Sequence, residues 1–286
     1  MLKLAVDNEF GDTDLVTAFC RHLLIREGLK SNTIFNHEKI VRRAIRIIGT
    51  QRPTPEQVED YIAEMYQAKY SYAHMVNTIR MVSRYMKWLG SPVDIGFPKR
   101  PKRTLKDVLT EAEVAVIIAA SKNIRERAIL TLLAYSGIRN DELCNVRVRD
   151  VDFGGNMLHV DMGKGSKDRN IPISGECTSI LLQYLADFQR EKNDYLFTVL
   201  RSGGKYTPWA LRLLVQTVVG RTNIKKRVYP HLFRHSLASN MIARGASVLT
   251  IQGQLGHAFV ETTMIYIRSN DKRLVSEYNV YAPSYT

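Results

Sequence analysis

Four short stretches of this sequence concentrate the arginine, lysine, histidine and tyrosine side chains with which a protein can hold and attack an anionic centre. They are Ser136-Gly137-Ile138-Arg139-Asn140-Asp141-Glu142-Leu143, Gly163-Lys164-Gly165, His231-Leu232-Phe233-Arg234-His235, and Leu255-Gly256-His257 leading to Thr262-Thr263-Met264-Ile265-Tyr266. An arginine fork can grip two phosphate oxygens and stays charged at any working pH. A tyrosine is a weak nucleophile at its ordinary pKa of about 10, so it needs a nearby base or a cationic pocket. Taken singly, each stretch also has a structural reading. Arg139 could cap a helix, Lys164 could be an ordinary turn residue, His257 could be a buried hydrogen-bonded histidine, and any of the 14 tyrosines could belong to a core.

The same residues fit metal or nucleotide chemistry poorly. His231 and His235 are four apart, as in zinc proteases, but Leu232 stands where that motif carries its glutamate. A two-metal nuclease needs clustered carboxylates, which these stretches lack. Neither candidate lysine fits a phosphate-binding P-loop, because Lys205 is followed by Tyr206 and Lys164 by Gly165. No metal site and no cofactor are expected.

The elements that must position these groups are mostly helices. Apolar residues recur at helical spacing over 12–28, 31–48, 54–67 and 72–89, then over 110–121, 124–136, 139–146, 175–190, 208–219, 231–243, 247–255 and 260–268. Ser31 and Thr54 are candidate N-caps, Pro55 suits a first helical position, and Gly49 and Gly90 are natural stops. The fourth helix places Met75, Val76, Ile79, Val82, Met86 and Leu89 on one side and Arg80, Arg84 and Lys87 on the other. One segment breaks the helical pattern. Met157 to Met162 alternates with strand period, a Gly163-Lys164-Gly165-Ser166-Lys167 turn follows, and Arg169 to Ile173 resumes an extended run, which predicts a hairpin with Lys164 at its tip.

Charge marks the domain boundary. The chain carries 41 Lys and Arg against 28 Asp and Glu, a formal +13, and an excess of that size points to a polyanionic partner, nucleic acid first. Residues 1–98 hold 13 basic and 11 acidic side chains and residues 107–286 hold 23 and 17, so five of the excess charges sit in residues 99–106. That segment, Lys99-Arg100-Pro101-Lys102-Arg103-Thr104-Leu105-Lys106, follows Pro98 and reads as an extended basic linker suited to a phosphate backbone. The expected organisation is a helical domain over 1–98, the linker over 99–106, and a mainly helical domain with a small β-hairpin over 107–286. Cys20, Cys144 and Cys177 form no paired motif and are expected to be reduced and structural. No stretch reaches the apolar length of a membrane span, and Asp7, Glu9, Asp12 and Asp14 interrupt any signal-peptide core, so a cytoplasmic protein is expected.

Together and in this order, the four stretches resemble the catalytic signature of the tyrosine recombinase and phage integrase family, with a layout similar to Xer-type recombinases. The resemblance covers most of residues 104–278. The family pattern is an arginine in a Thr/Ser-Gly-hydrophobic-Arg-x-x-Glu-Leu motif, a hairpin lysine, a His-x-x-Arg pair, a Leu-Gly-His, and a tyrosine nine residues after that histidine. Arg139 with Glu142, Lys164, His231 with Arg234, His257 and Tyr266 occupy these positions. Ile138, Asn140-Asp141 and Arg268 depart from the commoner residues, and none of these departures removes a catalytic group.

The resemblance implies an enzyme that cleaves and rejoins double-stranded DNA. Arg139, Arg234 and His257 would stabilise charge on the phosphoryl oxygens, more in the transition state than in the ground state. Glu142 would orient an arginine. Tyr266 would attack with His231 as base, Lys164 would protonate the leaving 5′ oxygen, and the product would be a 3′-phosphotyrosine. The first domain would be a core-binding domain that clamps DNA with the second. Its candidate contacts are Arg80, Arg84 and Lys87, with Lys99, Arg100, Lys102 and Arg103 of the linker. Four protomers would assemble on two DNA sites, with the stripe Leu274, Val275 and Tyr278 as a possible connector to a neighbour. Length and the lack of an added amino-terminal arm-binding domain favour chromosome dimer resolution. A type IB topoisomerase-like enzyme and a DNA-binding accessory protein without catalysis are the alternatives.

Overall fold

The computed structural model of the chain describes residues 14–101, 107–161, 168–199 and 203–256. The chain divides into two compact units, Met1–Thr104 and Leu105–Thr286.

The first unit is built from α1 (Leu15–Glu27), α2 (Ser31–Ile48), α3 (Pro55–Gln67) and α4 (Tyr72–Trp88). Local chemistry sets the ends. Asp14 caps α1 by accepting from the backbone N–H groups of Val16 and Thr17. Thr54 and Gln57 form a reciprocal capping box at α3, with Pro55 at its first position. α2 departs from expectation: its first hydrogen-bonded carbonyl belongs to Lys30, which is extended, so Ser31 lies inside the helix. α4 is buried on two sides. Met81 and Tyr85 pack with Phe19, Leu23 and Ile45 in one cluster, and Met75, Ile79, Val82 and Met86 pack with Val58, Tyr61 and Ile62 in another. Periodicity found the second of these faces, and Val76, expected on it, is only half-buried. Arg80 and Lys87 remain exposed on the face left over.

The second unit is organised around α6 (Ile124–Ser136), in which Ala128, Ile129, Leu130, Leu132 and Leu133 are all buried. Consecutive apolar residues on a helix mean burial all round, and α6 packs against α5 (Glu111–Ala119), α8 (Gly175–Phe188), α9 (Pro208–Val219) and α10 (Pro230–Ala243). Its one buried acid, Glu126, is held by both terminal nitrogens of Arg221 at 2.6 and 3.1 Å. The short helix α7 (Asn140–Asn145) follows α6, and α11 (Val248–Leu255) packs on α10 through Ile242, Ile251 and Leu255.

The expected hairpin is present as β2 (Met157–Val160) against β3 (Arg169–Pro172), antiparallel, with Leu158 opposite Ile171. A third strand, β1 (Val151–Asp152), joins the other edge of β2, with Val151 opposite Leu158. Val151, Leu158, Val160 and Ile171 point into the core. Cys20, Cys144 and Cys177 are buried free thiols, and burial pushes the Cys177 thiol up to about 12. No helix among the described residues is long and apolar enough to cross a membrane.

Candidate active site

Two helix C-termini face one arginine. α6 ends at Gly137 and α11 at Gly256, both in the left-handed conformation with φ of 62° and 64°. At such an end the last carbonyls have no partner inside the helix and carry the negative end of its dipole. Arg234, on α10, answers both. Its Nη1 donates to the Gly137 carbonyl at 2.8 Å and its Nη2 to the Leu255 carbonyl at 2.6 Å. The side chain is as deeply placed as any core residue, with the residue only 1% exposed. Gly137 is required by more than its φ, since a Cβ there would stand 2.8 Å from Leu237 and 2.9 Å from Leu255.

Arg139 opens α7, immediately beyond the end of α6. The structural reading of this residue as a cap is half realised: Glu142 Oε2 accepts its backbone N–H at 2.7 Å, while a guanidinium has no acceptor with which to return the bond. The side chain is fixed at both terminal nitrogens. Nη1 donates to Glu142 Oε1 at 2.6 Å and Nη2 to the Gly256 carbonyl at 3.3 Å. Unlike that of Arg234, this side chain stays 39% exposed. Glu142 thus binds Arg139 through both its backbone and its side chain.

A residue that sequence reading left without a role completes the arrangement. Arg169, the first residue of β3, donates to Glu142 from Nη1 at 3.2 Å and from Nη2 at 2.8 Å. Burial alone would raise the Glu142 carboxyl above its usual 4.5. The hydrogen bonds and charge of Arg169, with the bonds from Arg139, outweigh burial and hold it at about 2. The only signal in the sequence was a cation at a core-facing register position of a short strand. Gln254 was also passed over. Its side-chain amide donates to the carbonyls of Ser136 and Pro172, both at 3.2 Å, and ties α11 to α6 and β3.

The remaining candidates are placed as follows. His231 lies in the first turn of α10, three residues before Arg234, is exposed, and has its ring centroid 4.8 Å from that of His235. Lys164, His257 and Tyr266, with Lys102 and Arg103 of the linker and the stripe Leu274, Val275 and Tyr278, lie outside the described residues. In the first unit Arg80, Lys87, Lys99 and Arg100 are exposed, whereas Arg84 is half-buried and forms an ion pair with Glu27 of α1. No group of three His, Cys, Asp or Glu among the described residues is placed to hold a metal ion.

The structure therefore brings Arg139, Glu142 and Arg234 to one place, at the end of the helix that precedes His257. Comparison with known proteins gives this arrangement a context. Tyrosine recombinase XerA of Pyrococcus horikoshii is 32% identical over 93% of this chain and 93% of its own length. A tyrosine recombinase of Thermosipho africanus is 30% identical over 84% of this chain and 90% of its own. Among solved structures, a XerA recombinase is 29% identical, with a TM-score of 0.56 over 95% of this chain and 99% of that one. The Tn1549 transposon integrase bound to circular intermediate DNA shares the fold, with a TM-score of 0.75 at 19% identity over 94% of this chain and 100% of that one. The phage integrase family model matches residues 107–273, more than half of the sequence and the whole of the site, and the chain belongs to that family, the site-specific tyrosine recombinases of the Xer type.

Proposed function

We propose that this recombinase cleaves and rejoins double-stranded DNA through a 3′-phosphotyrosine at Tyr266, in the service of chromosome dimer resolution. The observation that carries the reading is the convergence of Arg139 and Arg234 on the carbonyls of Leu255 and Gly256. Two guanidinium groups held in fixed positions are what a phosphodiester under attack requires, because charge accumulates on its phosphoryl oxygens and preorganised donors stabilise that charge without reorganising. Gly256 lies one residue before His257 and ten before Tyr266 in the sequence.

Each residue has a role in this reading. Arg139, Arg234 and His257 hold the phosphate, and Glu142 orients Arg139. His231 takes the phenolic proton as the Tyr266 oxygen bonds to phosphorus. Lys164 then protonates the 5′ oxygen as the P–O bond breaks. The phosphotyrosine retains the bond energy, and attack by a 5′ hydroxyl restores the DNA and the free tyrosine. The balance closes without metal, ATP or other cofactor.

The first unit is the core-binding domain and the second the catalytic domain of a clamp around DNA, with Arg80, Lys87, Lys99, Arg100, Lys102 and Arg103 along the phosphate backbone. Arg84 contributes less, since Glu27 already neutralises it. Several structural neighbours are recombinases bound to DNA, among them XerH on its palindromic difH substrate, with a TM-score of 0.72 at 16% identity. Recombination of two sites calls for four copies of the chain, joined through the segment that contains Leu274, Val275 and Tyr278, acting on the chromosome in the cytoplasm.

The test uses nicked duplexes carrying candidate sites, incubated in EDTA without ATP, with covalent adducts resolved on a denaturing gel. An adduct with the wild-type chain and none with Tyr266→Phe is expected. Tight binding without an adduct on any sequence would return the chain to an accessory role, and relaxation of supercoils without site preference would make it topoisomerase-like.

A further inference from the structure

Arg169 closes a ring of charge around Glu142. The Oε2 atom accepts from Arg169 Nη2 at 2.8 Å and from the Arg139 backbone N–H at 2.7 Å. The Oε1 atom accepts from Arg169 Nη1 at 3.2 Å and from Arg139 Nη1 at 2.6 Å. Each carboxylate oxygen thus lies between the two arginines. The side chains of Arg169 and Glu142 are only 10% and 9% exposed, a depth at which neither charge is tolerable without the other.

Arg169 also meets the second group that fixes Arg139. A Cβ on Gly256 would stand 2.6 Å from Arg169 Cδ and 2.7 Å from its Nε, so glycine at 256 is what lets this guanidinium pass beneath the end of α11. The Gly256 carbonyl in turn accepts from Arg139 Nη2. Arg169 therefore bonds to one group that fixes the Arg139 fork, Glu142, and packs against the other, Gly256.

We propose that Arg169 is a positioning residue for strand cleavage, setting the Arg139 fork through Glu142 and Gly256 without touching DNA. The inference rests on the reading of Arg139 as a phosphate-holding group. It differs from a packing role, because a side chain that only filled the space under Gly256 would be replaceable by an apolar one of similar length. Misplacing a positioned group by about an ångström costs roughly 100-fold in rate, and that is the loss expected here.

The test compares Arg169→Met, which fills the space without charge, with Arg169→Lys, which keeps one charge but loses the two-nitrogen grip. Adduct formation on nicked DNA at saturating protein is followed from pH 8 to pH 5. Arg169→Met leaves Glu142 buried without its main partner, so the carboxyl takes up a proton far more readily. The ratio of its rate to the wild-type rate is expected to fall from about 100-fold below unity to lower values as the pH drops. For Arg169→Lys the ratio is expected to be intermediate and flat. An Arg169→Met rate equal to wild type, or a loss equal at every pH, overturns the proposal.

A second measurement stands apart from cleavage. The Glu142 carboxyl is titrated by carbon-13 NMR and the Arg139 Nε–H signal is followed by nitrogen-15 NMR, both without DNA. A higher Glu142 midpoint and a broadened Arg139 signal are expected in Arg169→Met. An unshifted midpoint with a sharp Arg139 signal overturns the proposal. Should the wild-type chain form no adduct dependent on Tyr266, the functional reading fails, and the NMR pair still decides whether Arg169 sets Arg139.

Discussion

Arg139 and Arg234 donate to neighbouring carbonyls, Gly256 at 3.3 Å and Leu255 at 2.6 Å, so the last turn of α11 registers the two arginines against each other. Neither could shift without disturbing that turn. The consequence is that Gly256 is a control point for the site although it carries no side chain.

Gly256→Ala is expected to damage stability and cleavage together. Its φ of 64° is strained for any residue with a Cβ, and that Cβ would collide with Arg169. A loss of about 2 kcal/mol in the stability of the second unit is expected, read from the urea midpoint, with adduct formation reduced beyond what the unfolded fraction explains. A wild-type midpoint would show that the turn yields easily and does not register the arginines.

The two arginines should respond differently to truncation. Arg234→Met strands the Gly137 and Leu255 carbonyls in the interior, at about 1–3 kcal/mol for each buried group left unsatisfied, so the variant is expected to unfold at markedly lower denaturant. Arg139 is 39% exposed, and Glu142 keeps Arg169 when it is removed. Arg139→Ala should change stability by less than about 1 kcal/mol while lowering adduct formation by roughly 100-fold or more. Denaturant curves beside single-turnover cleavage separate the two cases, and equal stability losses would contradict the division of labour drawn from burial.

Much of this fold was legible because its signals are local. Thr54 and Pro55 write the start of α3, and Gly49 and Gly90 write helix ends, without reference to anything distant. What was not legible depends on distant partners. Met81 and Tyr85 look peripheral on α4 until α1 and α2 are laid against them. β1 is two residues long and has no period to detect. The arginine, histidine and tyrosine pattern singles out candidate reactive groups, but Arg169 gains meaning only when β3 and α7 bring it to Glu142, 27 residues away in the sequence. Motifs record which side chains react, and they are silent on what holds those side chains still.

Glu142 gives the site a pH signature in stability. Its carboxyl is held at about 2 against an ordinary 4.5, so the folded state binds this proton less readily than the unfolded chain. The stabilisation it carries is complete above about pH 4.5 and is lost as the pH falls from there through 2. Glu126, lowered by the hydrogen bonds and charge of Arg221 against the effect of burial, acts in the same direction. Urea midpoints taken between pH 6 and pH 3 should decline in the wild-type chain. They should decline less in Glu142→Gln, whose residual slope reports Glu126 and the other carboxylates. A variant slope as steep as wild type would remove Glu142 from the account.

Salt separates phosphate contacts from structural charges in the first unit. Each Lys or Arg seated on a phosphate of duplex DNA contributes about 0.9 to the slope of log binding constant against log salt. Arg80 and Lys87 are exposed on α4, while Arg84 is committed to Glu27. Replacing Arg80 or Lys87 with alanine should weaken binding to every duplex alike and flatten the slope by about 0.9 each, as measured by fluorescence anisotropy from 50 to 300 mM salt. Arg84→Ala should leave the slope nearly unchanged and instead lower the unfolding midpoint, because it deprives α1 of a tie to α4. Were Arg84→Ala to flatten the slope as much as the other two, the ion pair with Glu27 would have to open when DNA binds, and the basic face of α4 would be three residues wide.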